Sequence, residues 1–320
     1  MIPDPVLYEP MSLFFILLVK LLPLYLVVFV GFIAGKRLDV KTESIASLLI
    51  YAIAPVVIFS GTATAPLTAA AFSLPVLFFG IACLMCVAFY WIAGRIWNGS
   101  ERNILAFTSG TGNTGYFGIP VALALFDETT MSLVVLSILG FVFFENTLGF
   151  FVTARGHHTA RESALKVLKL PTIYAFLAGL VVNVCQFGLP IPAVDLITNV
   201  RGTYTILGMM LVGLGLSRIQ TFSVDARFTG VAFLAKFLVW PSVALLVILM
   251  DAHFFHFYSN DIYRVILLMS TVPLASNTVA FATKLNTHPE KAAVAVLLST
   301  LFALVYIPLT VAVSSFVLPG

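Results

Sequence analysis

Ten apolar segments follow one another along this chain, at about 12–34, 43–60, 72–94, 102–126, 130–154, 171–187, 194–217, 227–250, 261–284 and 291–316. A helix needs roughly 20 residues to cross the hydrocarbon core of a bilayer. Lipid offers no hydrogen bonds, so backbone immersed in it must pair within its own segment, which makes these runs helices. Only 10% of the residues are charged, against about 25% in soluble domains, and mean hydropathy is +1.06. The expected fold class is therefore an all-α integral membrane protein. Met1–Pro10 holds no Lys or Arg, so it lacks the positive start of a cleavable signal, and the first segment is expected to stay as a span.

The positions of the basic residues set the expected orientation. Lys36, Arg37 and Lys41 follow segment 1, and Arg95 and Arg102 follow segment 3. Arg155, Arg161, Lys166 and Lys169 follow segment 5, Arg218 and Arg227 segment 7, and Lys284 and Lys291 segment 9. These are 13 of the 17 basic residues. The opposite loops and both termini carry Asp4, Glu9, Asp127, Glu128, Asp195, Asp251 and Asp261 instead. The positive-inside rule then places the odd-to-even loops in the cytoplasm and both termini outside it.

The longest connection, 155–170, divides the chain into 1–154 and 171–320, with five segments in each. An odd number per half means that the halves enter the membrane in opposite senses, the inverted repeat typical of secondary transporters. The fourth segment of each half is interrupted. The first carries Ser109-Gly110-Thr111-Gly112-Asn113-Thr114 and then Gly118-Ile119-Pro120, and the second Ser270-Thr271-Val272-Pro273-Leu274-Ala275-Ser276-Asn277-Thr278. The expected architecture is ten transmembrane helices in two inverted five-helix repeats, with helices 4 and 9 broken and crossing. Paired interruptions of this kind point to a transport site.

Gly110, Gly112 and Gly115 each weaken a helix by roughly 1 kcal/mol relative to Ala, and Pro120 removes an intrahelical bond. Unwound backbone in the membrane is tolerated where it lines a cavity or meets a ligand. A half-helix starting near Thr114 would aim its N-terminal N–H groups at the break, which favours an anion, and the Asn113 amide can donate to a carboxylate. The competing reading is a seam of small residues between packed helices. Glu145 lies deep in segment 5 beside Asn146; a carboxyl there is either protonated or paired. It reads as a proton-coupling site, as a structural partner of Lys20 or Lys236, or as a group hydrogen-bonded near the membrane edge.

Lys20 is expected to snorkel outward. Lys236 either snorkels or points into the core, and Arg201 is expected to mark the outer end of segment 7. Cys83 and Cys86 form C-x-x-C within an apolar helix and read as packing residues. His253 and His256 with Asp251 give weak support to a metal site. No Gly-x-Ser-x-Gly, H-E-x-x-H or P-loop pattern occurs, and nothing calls for a cofactor, a metal or a nucleic-acid partner. An enzyme would need clustered His, Asp or Glu at membrane depth, and a sensor would need an attached signalling domain; the sequence offers neither.

The stretch Gly112-Asn113-Thr114-Gly115-Tyr116-Phe117-Gly118-Ile119-Pro120 resembles the fourth-helix signature of the auxin efflux carrier family, which holds the plant PIN carriers and bacterial permeases. Other segments agree in order: Leu170-Pro171-Thr172-Ile173-Tyr174 with Leu177-Ala178-Gly179-Leu180, Lys236-Phe237-Leu238 with Pro241, Val272-Pro273, Phe281-Ala282, and Asn286-Thr287-His288-Pro289. The resemblance implies helices 4 and 9 crossing at their breaks. It also implies a scaffold of helices 1, 2, 6 and 7, often dimeric, and a transport domain moving like an elevator. It implies small organic anions, such as malonate or an auxin-like acid, as substrates. Asn113 matches the position that contacts the substrate carboxylate, and Pro273 the ninth-helix crossover. The plant carriers have Pro in place of Gly112, a basic residue near Thr283 and a long hydrophilic loop, so the resemblance does not single out auxin. A compact chain without that loop resembles the carriers of a bacterial inner membrane.

Taken together, the expected function is alternating-access transport of a small carboxylate. The expected substrate-binding residues are Gly112, Asn113, Thr114, Tyr116, Pro120, Pro273, Ser276 and Asn277. Glu145 and Lys236 are the coupling candidates, and the expected partners are an organic anion, the lipid bilayer and a second copy of the chain. The first alternative is a sodium- or proton-coupled carrier of another solute on the same architecture; several carboxylates near the breaks would mark it, and Glu145 is the one present.

Overall fold

The computed structural model describes residues 10–38, 40–153, 171–217, 224–284 and 287–317, and among them it is helical with no strand. Every apolar segment read from the sequence forms a helix or a pair of half-helices. These are α1 (Pro10–Arg37), α2 (42–63), α3 (Ala69–Ala93), α4a (Glu101–Gly110), α4b (114–125) and α5 (Glu128–Thr153). The second half gives α6 (Pro171–Val184), α7 (Ile191–Ser217), α8 (Ala226–Phe255), α9a (Asn260–Thr271), α9b (Asn277–Lys284) and α10 (Pro289–Val317). The connection 155–170 lies outside the described residues.

Five of the described helices are long and apolar enough to cross a membrane: Ser44–Ala63, Ala69–Ala93, Glu128–Thr153, Ala226–Phe255 and Pro289–Val313. Large apolar side chains such as Val76, Trp91, Ile191 and Phe254 stand outward and exposed. In water such a surface would aggregate; against acyl chains it is at home. The protein is an all-α integral membrane protein.

Local signals start and stop these helices. Asp127 caps α5 by accepting from the Thr130 N–H at 2.9 Å, and Asp225 caps α8 by accepting from Arg227 and Phe228 at 3.1 and 3.0 Å. Such caps satisfy backbone donors that the first turn leaves free. Helix α6 ends at Val184, three residues short of the apolar run, because Gln186 takes a left-handed conformation at φ 54°.

Helix α1 runs along α7, α2 packs against α6 and α7, and α3, α4 and α5 pack together, as do α8, α9a and α10. The α1–α7 contact is close because it is made at glycine: a Cβ on Gly213 would lie 1.9 Å from the Val28 carbonyl oxygen. Small residues at such a seam let backbones approach, the main route to helix association in lipid.

The starts of α4, α8 and α10 meet in one ion cluster, where Lys291 pairs with Asp225 at 2.9 Å and with Glu101 at 3.3 Å, and His288 approaches Glu101 at 3.2 Å. Two further contacts join helix ends elsewhere. Asn183 near the end of α6 donates to the Thr62 and Ala65 carbonyls after α2, and Ser73 at the start of α3 lies 2.9 Å from the Tyr258 hydroxyl in the α8–α9 loop.

Candidate functional site

Helix α4 breaks because Gly110 is its last helical residue and Thr111 is extended, at φ −128° and ψ 178°. Helix α9 breaks for a different reason. A residue before proline is pushed out of the helical region, and Val272, before Pro273, sits at φ −57° and ψ 149°. The two breaks meet. The Asn113 N–H donates to the Pro273 carbonyl at 2.8 Å, and its side-chain amide donates to Ser276 Oγ at 3.2 Å. Asn113 immediately precedes α4b yet its side chain makes no cap there; the amide is spent across the crossover instead.

Unwound backbone at membrane depth must find partners, and other helices supply them. The indole N–H of Trp240 in α8 donates to the Ser109 carbonyl at 2.7 Å, and Ser299 Oγ in α10 accepts from the Leu274 N–H at 3.1 Å. Glu145 joins both breaks from α5: its two carboxyl oxygens accept from Thr111 Oγ1 at 2.5 Å and from Asn277 Nδ2 at 2.7 Å. The pairing of Glu145 with Lys236 weighed from the sequence is not formed. The Lys236 amine is 0% exposed and has no hydrogen-bond partner among the described residues; it faces Gly112 and lies 4.9 Å from the Trp240 ring and 5.9 Å from that of Phe141. Of the two readings for Lys236, the core is the one adopted.

Three of these elements share a distortion. Thr114–Gly118, Glu145–Gly149 and Leu234–Val239, which contains Lys236, are all π-helical turns. Such wide turns are rare and gather at functional sites.

A cavity of about 390 Å³ opens at the crossover. Gly112, Asn113, Thr114, Tyr116, Glu145, Ser276 and Asn277 line it, with Asn146, Thr172 and Tyr204 adding polar groups and Ile138, Phe141 and Phe281 an apolar wall. Among the lining residues Glu145 is the charged one. The structure therefore brings six of the eight expected binding residues onto one cavity. Pro273 stays behind the wall as the partner of Asn113. Pro120 is buried in α4b, where its ring faces Gly208 of α7. Tyr204 carried no pattern in the sequence, and Thr172 stood in a family-like stretch without an assigned role; they reach the site because α7 and α6 fold beside α4b and α2. Thr111 stood in the glycine-rich run and could have been chosen there for its hydroxyl.

Other sequence candidates resolve differently. Arg201 lies well inside α7 rather than at its end; its partly buried guanidinium pairs with the exposed Glu128 at 3.2 Å and donates to Ser60 Oγ. Asp251 accepts from the N–H groups of Phe257 and Tyr258 and from the Tyr263 hydroxyl, so it is committed to the α8–α9 turn. Among the described residues no three His, Cys, Asp or Glu are grouped to hold a metal. Cys83 and Cys86 are free thiols on α3. The side chain of Lys20 lies outside the described residues.

The sequence matches a protein family described as membrane transport proteins over residues 16–311. An uncharacterized transporter from Methanocaldococcus jannaschii is 28% identical over 244 residues, which cover 74% of this chain and 77% of that protein.

Proposed function

Because this chain belongs to the membrane transport protein family, the auxin efflux carriers, it is a membrane transporter, and we propose that its substrate is a small organic anion bound at the meeting of the α4 and α9 breaks. The observation that carries this reading is the Asn113 crossover. One residue ties the breaks together through its backbone N–H and its side-chain amide, and the cavity beside it offers hydroxyls, amides and the start of α4b. Backbone N–H groups at a helix start favour a carboxylate. A cation carrier would call for several carboxylates, and Glu145 stands alone among the lining residues.

The proposed architecture is two inverted repeats of five transmembrane helices, 1–154 and 171–320, joined by 155–170. The matching contacts of α1 with α7 and of α6 with α2, and of α3 with α4a and of α8 with α9a, support it. In this reading α1, α2, α6 and α7 are the scaffold, through which two copies associate, and the remaining helices carry the site across the membrane as an elevator. Gly112, Asn113, Thr114, Tyr116, Ser276 and Asn277 contact the anion, Pro273 and Pro120 shape the breaks, and Glu145 and Lys236 couple transport to protons. The membrane is a bacterial inner membrane, with both termini outside the cytoplasm.

Counterflow of radiolabelled carboxylates into proteoliposomes tests the reading, with malonate and indole-3-acetate in the panel. One acid exchanged by the wild-type protein and lost in Asn113→Ala is the expected result. Exchange unchanged in Asn113→Ala removes the crossover from the mechanism, and exchange of none of the acids removes the anion.

A further inference from the structure

Glu145 and Lys236 approach the α4 break from opposite sides. Glu145 faces the cavity with both oxygens accepting, from Thr111 Oγ1 and Asn277 Nδ2. Lys236 stands behind Gly112, fully buried and without a hydrogen-bond partner among the described residues. Gly112 and Phe141, both near its amine, line that cavity. The other titratable groups lining it are the phenols of Tyr116 on α4b and Tyr204 on α7. Helix α3 contains no charged residue, and neither does the stretch 54–63 of α2 that faces the site. On α9b, Asn277 meets Glu145 with a neutral amide.

On the anion-carrier reading above, on which this inference rests, we propose that Glu145 and Lys236 are a charge-balancing pair across Gly112 that makes the carrier bind one proton with each negative charge of its substrate. In this pairing Glu145 is the carboxylate that accepts from both donors and Lys236 is the ammonium, so the empty site is neutral. A bound monoanion would leave it with a net negative charge in a medium that penalises unpaired charge by several kcal/mol. A proton taken from water by Glu145 restores neutrality: the site then holds the ammonium, the substrate carboxylate and a neutral carboxyl. The Thr111 hydroxyl can follow this change, since it donates to the carboxylate and can turn to accept from the carboxyl. On the far side the anion leaves, Glu145 returns its proton to water, and the neutral pair goes back empty. A dianion such as malonate is carried with two protons or as its hydrogen monoanion with one. The site thus crosses the membrane without net charge in both directions, and transport is driven by the pH gradient rather than by the membrane potential.

Calorimetric titration of the purified full-length protein with indole-3-acetate and with malonate, in buffers of different ionisation enthalpy, counts the protons. The wild-type protein is expected to take up one proton per indole-3-acetate, with an apparent Kd that rises about tenfold per pH unit above the working range. Glu145→Gln is expected to bind without proton uptake and without that pH dependence. Lys236→Met fills the same apolar slot between Trp240 and Phe141 and is expected to weaken binding about tenfold or more, with an unchanged melting temperature. In wild-type proteoliposomes, accumulation of whichever acid binds should follow an alkaline interior and ignore an imposed potential, with protein-free liposomes as the blank. Binding without proton uptake, proton uptake that persists in Glu145→Gln, or accumulation driven by potential would overturn the pairing and leave the anion carrier standing. Binding of neither acid would remove the anion reading and this inference with it.

Discussion

The amine of Lys236 occupies the space that a side chain on Gly112 would need: a Cβ there would begin 2.5 Å from Nζ and 2.8 Å from Cγ2 of Val272. The glycine is thus required by close approach, and the break and the buried lysine are parts of one arrangement. Gly112→Ala should lower stability by about 1–3 kcal/mol through overpacking, read as a fall in melting temperature of the detergent-solubilised protein. On a Lys236→Ala background part of that loss should be recovered, with a coupling of at least about 0.5 kcal/mol. Equal losses on both backgrounds would show that Nζ does not press on Gly112.

Two glycines in α7 should respond in opposite ways. A Cβ at Gly213 would meet the backbone of α1, 1.9 Å from the Val28 oxygen and 2.6 Å from the Phe32 nitrogen, whereas a Cβ at Gly215 meets nothing within 4 Å. Gly213→Ala must push two helices apart and should cost about 1–3 kcal/mol or more. Gly215→Ala should be neutral or stabilising by up to about 1 kcal/mol, the helix-propensity difference. Thermal unfolding of the two variants side by side decides this.

Asp225 carries a pH dependence. The Phe228 N–H bonded to its carboxylate, together with Lys291 at 2.9 Å, holds its carboxyl below the ordinary value. A carboxyl depressed in the folded state stabilises fully above its unfolded value, about 3.9, and loses that contribution as pH falls through the folded value. Asp225→Ala should cost about 1 kcal/mol at neutral pH, as for a lost helix cap. The gap in melting temperature between variant and wild type should close as the pH is taken below about 4. A gap that stays constant would show that the carboxylate charge does not matter there.

The pair of Arg201 and Glu128 should matter unequally. Glu128 is 80% exposed and Arg201 12%. Glu128→Gln should change stability by less than about 1 kcal/mol, as for other solvent-screened pairs. Arg201→Ala should cost more, because it also removes a buried aliphatic stem and the contact with Ser60. Equal effects in a melting assay would place the energy in the ion pair rather than in packing.

Much of the site was legible because breaking a helix in lipid has few causes. Gly110-Thr111-Gly112 and Val272-Pro273 announced the two breaks, and the amides beside them, Asn113 and Asn277, stand at the cavity. Glu145 was marked by its depth alone. Its partners were not readable, since Thr111, Asn277 and Glu145 come together over separations of 34 and 132 residues. Tyr204 left no trace, and Thr172 stood in a family-like stretch with no sign of its role, because a single polar residue on an apolar helix has no periodicity to betray its direction.

By itself, the sequence determined that the chain is helical and lives in a membrane, roughly where its helices lie, and which two of them are broken. These are local consequences of apolar length, proline, glycine and capping side chains in a solvent without hydrogen bonds. Only the tertiary structure decided that Asn113 reaches Pro273 and Ser276, that Glu145 bridges both breaks and that Lys236 stands behind Gly112 with no hydrogen-bond partner among the described residues. Buried polar groups must find partners or bear the cost of lacking them, and which partner lies within 3 Å is set by how whole helices pack, a property that no stretch of sequence carries alone.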